Sequence, residues 1–148
     1  MRSVVVAEDE ELFRRELAAA TPWEDFGFVL VGEAADGQEA LELIRERKPD
    51  LVLADIRMPR VDGLALLARV AEELAEDERP LIVLITGHSE FEYARSALRL
   101  GAADYLLKPL DDAELAAVLV RMAEETDRRE RGRSRSEEFR AALGLTND

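Results

Sequence analysis

Five stretches of the chain are apolar with little interruption: Ser3 to Ala7 (SVVVA), Phe28 to Ala34 (FVLVGEA), Leu51 to Asp55 (LVLAD), Leu81 to Thr86 (LIVLIT) and Ala103 to Lys108 (ADYLLK). Most are continuous rather than alternating, as strands are when both faces of a parallel sheet are covered. The segments between them carry a helical period instead. Leu41 and Ile44, and Leu66, Leu67, Val70 and Leu74, recur at i, i+3, i+4 and mark buried helix faces. Asp36-Gly37-Gln38-Glu39, Ser89-Glu90-Phe91-Glu92 and Asp111-Asp112-Ala113-Glu114 each set a capping residue three places before a glutamate, so a helix is predicted to start at each. Asp62-Gly63 reads as a turn and helix start.

A strand-helix alternation repeated five times predicts an α/β fold: a flavodoxin-like, doubly wound, five-stranded parallel sheet in the order 2-1-3-4-5, with right-handed crossovers and helices on both faces. Ligands of such sheets sit beyond the carboxyl ends of the strands, at the switch point between strands one and three. Polar residues converge there. Strand one runs into Glu8-Asp9, strand three ends in Asp55, strand four in Thr86 and strand five in Lys108. Three carboxylates within reach of one another repel, and at least one would be driven towards protonation without a counter-charge. A divalent cation resolves the repulsion, and oxygen-only ligands favour Mg²⁺. With Lys108 as a further positive charge and the Thr86 hydroxyl beside it, the chemistry suggested is phosphoryl transfer to the Asp55 carboxylate.

Composition narrows this further. A chain of 148 residues, 47% hydrophobic, suits one domain with a real core and a tail. The net charge of -13 repels a phosphate backbone, so direct binding to nucleic acid is not expected. There is no cysteine and one histidine, His88, which excludes disulfides and argues against zinc. No run approaches the ~18 apolar residues of a membrane span and no signal-like segment precedes the first strand, so no membrane association and a cytoplasmic location are expected.

"VVVAEDE", "LVLADIRMPRVDG", "LIVLITG" and "GAADYLLKPL", in this order and at this spacing, resemble the response-regulator receiver domain of bacterial two-component signalling over roughly Ser3 to Thr126. The resemblance implies that Asp55 accepts a phosphoryl group from a phosphohistidine on a sensor histidine kinase. It implies that Asp9, Glu8 partly through water, Asp55 and the backbone carbonyl of Arg57 hold Mg²⁺, and that Thr86 and Lys108 contact the phosphoryl oxygens. Tyr105 would change rotamer as Thr86 moves inward, the Lys108-Pro109 peptide would be cis, and Arg57 and His88 would govern phosphate lifetime. Such a module catalyses its own phosphorylation and dephosphorylation and does not turn over external metabolites. Its switched face, built from helix four, strand five and helix five, would dock a partner or a second copy. One departure stands out: the family often has two aspartates where this chain has Glu8-Asp9, which leaves the metal's outer contacts open.

The remaining residues, 127–148, read as a polar linker with a possible short helix. "DRRERGRSRS" (Asp127 to Ser136) lacks an apolar stripe, whereas Ser134 with Glu137 forms a capping-box pattern ahead of Phe139, Ala142 and Leu143, and Gly144-Leu145 suggests a stop. The run from Ser89 to Leu115 is similar to receivers attached to AraC-type helix-turn-helix regulators, which would reach DNA through an output domain absent from this chain. A stand-alone receiver acting as phosphorelay or protein-binding switch is the alternative. A haloacid-dehalogenase-like hydrolase also uses an aspartate nucleophile, but "DIRMP" lacks that family's second aspartate two residues on.

Overall fold

A computed structural model of the chain describes residues 1–87 and 91–144. Strands β1 (Arg2–Ala7), β2 (Phe28–Ala34), β3 (Leu51–Asp55), β4 (Leu81–Thr86) and β5 (Asp104–Leu107) alternate with helices α1 (Glu11–Ala20), α2 (Gly37–Arg47), α3 (Gly63–Glu73), α4 (Phe91–Arg99) and α5 (Asp112–Ala142). All strand pairs are parallel and the sheet order is β2-β1-β3-β4-β5, the arrangement that the apolar runs predict.

Although the strands read as unbroken apolar runs, the pleat divides each between two cores. Val5, Ala7, Val52, Ala54, Ile82 and Leu84 face α2, α3 and α4, with Leu41, Ile44, Leu66, Val70 and Ala97. Val4, Val6, Leu51, Leu53, Val83 and Ile85 face the other way, with Leu17 of α1 and Leu115, Val118, Leu119 and Met122 of α5. Successive strand side chains point to opposite faces, so a strand covered twice must be apolar at every position. Asp36 accepts from the Glu39 amide at 2.8 Å, Asp62 from Ala65 at 2.8 Å and Asp111 from Ala113 at 2.7 Å, which fixes the starts of α2, α3 and α5. The Ser89 cap expected for α4 lies outside the described residues.

The carboxyl-terminal segment differs from its expected form. Instead of a linker followed by a separate helix at Ser134, α5 continues without a break to Ala142, and Ser134 lies in its interior. Asp127 to Ser136 contains no proline, and its five arginines and Glu130 are good helix formers that one glycine, at about 1 kcal/mol, does not outweigh. Side chains also fasten the segment to the body: Arg129 donates to the Arg79 carbonyl at 2.8 Å, and Arg2 pairs with Asp127 at 3.0 Å and with Glu130. The helix stops at Ala142, followed by Gly144 at φ +76°, a conformation that suits glycine. No helix among the described residues is long and apolar enough to cross a membrane.

Candidate functional site

Glu8 follows β1 and donates its amide to the Ala34 carbonyl at 2.9 Å, so sheet pairing carries one residue past the strand and turns the side chain inward. It is fully buried. Asp55, the last residue of β3, is 5% exposed, and its Oδ1 accepts from the Arg57 amide at 3.0 Å. The chain can turn this tightly after Asp55 because residue 63 is glycine: a Cβ there would lie 2.8 Å from the Ile56 Cα and 2.9 Å from the Asp55 carbonyl.

Lys108 closes the cluster from β5. Its Nζ donates to Glu8 Oε1 at 2.9 Å and to Asp55 Oδ2 at 2.5 Å, and it stands 4.7 Å from the centre of the Phe13 ring. The Lys108-Pro109 peptide is cis, and the Lys108 amide donates to the Thr86 carbonyl at 2.8 Å, tying the ends of β4 and β5 together. Thr86 is fully buried and its hydroxyl donates to the Gly87 carbonyl at 3.2 Å. Asp9 is exposed and shares with Arg57, Met58, Pro59 and Tyr93 the lining of an open groove of about 490 Å³ beside the cluster.

The electrostatics are unbalanced. Burial, then the hydrogen bond and charge of Asp55, push the Glu8 carboxyl up to about 8, against the opposing pull of Lys108. Burial alone would lower the Lys108 pKa, but its bonds to Asp55 and Glu8 outweigh that and raise it. One ammonium thus serves two buried carboxylates. Glu8 Oε2 is buried and has no hydrogen-bond partner among the described residues. An orphaned carboxylate oxygen marks a site awaiting a proton or a cation. Glu8, Asp9 and Asp55 each offer an oxygen within 4.8 Å of the others, and this all-oxygen donor set fits a hard divalent ion.

Glu8, Asp9, Asp55 and Lys108 therefore come together, with Thr86 joined to them through the backbone of Lys108. Arg57 is exposed at the rim, and Tyr105 is half-buried on β5, in register with Leu84. His88 lies outside the described residues. Three contributors escaped the sequence reading. Phe13 stacks against Lys108, Arg14 Nη1 donates to the Glu8 carbonyl at 2.9 Å, and Arg60 pairs with Asp36. Only Phe13 left a signal, one helical turn beyond Asp9.

A family model described as "Response regulator receiver domain" matches residues 4–120. The chain belongs to the response regulator receiver family. Among curated proteins this receiver is 40% identical over 119 residues to an uncharacterized response regulatory protein of Staphylococcus epidermidis, covering 80% of this chain and 45% of that protein. It is 38% identical over 122 residues to the transcriptional regulatory protein HptR of Staphylococcus aureus, covering 82% of this chain and 46% of HptR. The receiver thus spans a little under half the length of these relatives. Among solved structures, the REC domain of AraT, a response regulator from Geobacillus stearothermophilus, matches with a TM-score of 0.79 and 36% identity over 87% of this chain and 98% of that one. A two component transcriptional regulator AraC from Clostridium phytofermentans matches with a TM-score of 0.78 and 28% identity over 88% of this chain and 98% of that one.

Proposed function

We propose that this receiver accepts a phosphoryl group from the phosphohistidine of a sensor histidine kinase onto Asp55, and that the modified domain switches an output domain or partner in transcription control. The observation that carries the reading is the pairing of Asp55 with Lys108 at 2.5 Å beside the orphaned Glu8 oxygen, at the carboxyl end of β3. The transfer forms a bond from an Asp55 oxygen to phosphorus and breaks the phosphorus-nitrogen bond, whose electron pair leaves with the imidazole. Asp9, Asp55, the Arg57 carbonyl and Glu8, directly or through water, would hold Mg²⁺. When bound, the ion neutralises charge on the phosphoryl oxygens and aligns them.

Lys108 supports attack by moving with the charge. In the resting protein its ammonium pairs with both carboxylates; as Asp55 is phosphorylated, the ammonium follows the negative charge to a phosphoryl oxygen. Among the described residues Thr86 donates to a neighbouring carbonyl, and it is available to turn towards the same group. That inward movement, with Tyr105 following, is the conformational signal. It would emerge on α4, β5 and α5, where Tyr93, Leu98 and Val120 are exposed, and where a homodimer would form. Arg57, at the rim, would set how fast water removes the group, together with His88. DNA would be reached only through a further domain, consistent with relatives of which the matched segment covers 45% and 46%. Incubation with acetyl phosphate and Mg²⁺ followed by intact mass tests the reading: one phosphoryl adduct, abolished by a chelator, is expected. A parent protein that gains no adduct would overturn it.

A further inference from the structure

The loop that carries Arg57 from β3 to α3 is held at its base by the Gly63 amide on the Ile56 carbonyl, 2.9 Å, and by burial of Met58 and Val61. Its apex is unusual. The Val61 amide donates to the Pro59 carbonyl at 2.8 Å across Arg60, whose φ is +66°. A three-residue turn with positive φ at its centre is rare and strained, and a long side chain is a poor occupant when glycine would adopt it freely. Strain of this kind persists where surrounding contacts over-determine it.

Those contacts reach across to α2. Arg60 Nε donates to Asp36 Oδ2 at 3.0 Å, and Nη2 donates to the same oxygen. Asp36 is 5% exposed and uses its other oxygen to cap α2. Burial opposes its ionisation, but the Glu39 amide and Arg60 outweigh burial and hold its pKa below the usual carboxylate value. Beside this pair the backbones touch: a Cβ on Gly37 would fall 1.9 Å from the Val61 carbonyl, so only glycine permits the approach. Charge and close contact thus clamp the start of α2 onto the turn three residues beyond Arg57.

We infer that the Asp36–Arg60 pair is a positioning device that holds the β3–α3 turn so that the Arg57 carbonyl stays aimed at the metal side of the acceptor site. The inference rests on the reading of that carbonyl as a Mg²⁺ ligand. Arg60 itself touches no reacting atom. Burial of Met58 and Val61 would otherwise be enough to hold the loop, and the two explanations separate experimentally.

Arg60→Gly removes the guanidinium and keeps a residue suited to φ +66°, so the variant should fold and melt close to the parent. In metal-free protein, amide exchange at Arg57 and Val61 should accelerate about tenfold while Ile56, bonded to the Ile85 carbonyl in the sheet, does not change. Mg²⁺ affinity, measured by titration calorimetry with the ion alone, should fall on the order of tenfold, as for other residues that orient metal ligands. Asp36→Asn keeps a good helix cap and loses the ion pair, so it should give the same losses, and the double variant should add nothing further. Unchanged exchange at Arg57 and Val61 in Arg60→Gly would overturn the inference. Accelerated exchange with undiminished Mg²⁺ affinity would overturn its positioning part. A parent that binds no Mg²⁺ would overturn instead the metal reading on which it rests.

Discussion

Two cations at opposite ends of the sheet each pair with one aspartate and one glutamate. At the foot, Arg2 lies between Asp127 and Glu130; at the mouth, Lys108 lies between Glu8 and Asp55. Each is one cation with two carboxylates. At the foot the carboxylate side chains are 56% and 57% exposed, so water solvates the surplus charge and the cluster merely fastens α5. At the mouth they are 1% and 8% exposed, and the same surplus appears as a carboxyl raised to about 8 and an oxygen without a partner among the described residues. Charge count does not make a site. Burial of an incomplete set of charges does, because the missing charge must then arrive from outside.

The largest effect that separates the two ends is expected from removing their cations. Lys108→Ala should destabilise the metal-free protein by about 2–3 kcal/mol at neutral pH in urea unfolding, below the range for a fully enclosed pair because the ammonium keeps some exposure and Glu8 can hold a proton. A loss no greater than that of a surface pair would erase the contrast.

Next is the reverse change at the mouth. Glu8→Gln keeps the side-chain shape, removes the surplus charge, and should raise stability by roughly 1–2 kcal/mol at pH 8 while weakening Mg²⁺ binding. The sign follows from linkage. Between the ordinary value of 4.5 and about 8, folded Glu8 retains a proton that the unfolded chain has released, so stability falls as pH rises through this window. The raised Lys108 pKa acts only above that window. Urea midpoints of the metal-free parent should therefore fall between pH 5 and pH 8, and saturating Mg²⁺ should recover the loss at pH 8. In Glu8→Gln the same midpoints should be flatter with pH.

How much of this was legible follows from how local each signal is. The strand runs, the Asp36 and Asp111 caps and the strand-end residues are written in periodicity and spacing, so fold, sheet order and the meeting of Glu8, Asp9, Asp55 and Lys108 could be read directly. The burial of Glu8 could not, since one added methylene does not say which way a carboxylate turns. Arg60 and Asp36 lie 24 residues apart and meet only through packing of α2 on the turn. The continuity of α5 was hidden for a different reason: Asp127 to Ser136 has no apolar stripe, yet its ion pairs and its contacts with Arg79 and Arg2 make it helical.

The smallest effect is expected at the foot. Arg2→Ala should change global stability by no more than about 0.5 kcal/mol, because exposed ion pairs contribute little. Its visible consequence should be faster amide exchange in the last turns of α5, with no change in Mg²⁺ affinity. A change in Mg²⁺ affinity would mean that the two ends are coupled.

The central claim, that Asp55 is the carboxylate on which the mouth acts, is tested most directly by trapping. An acyl phosphate formed with acetyl phosphate and Mg²⁺ is reduced by borohydride to a primary alcohol, and peptide mass mapping then locates the altered side chain. The expected result is one altered position, Asp55, absent from the Asp55→Asn variant. Reduction at Glu8 or Asp9, or an undiminished phosphoryl adduct in Asp55→Asn, would contradict the account.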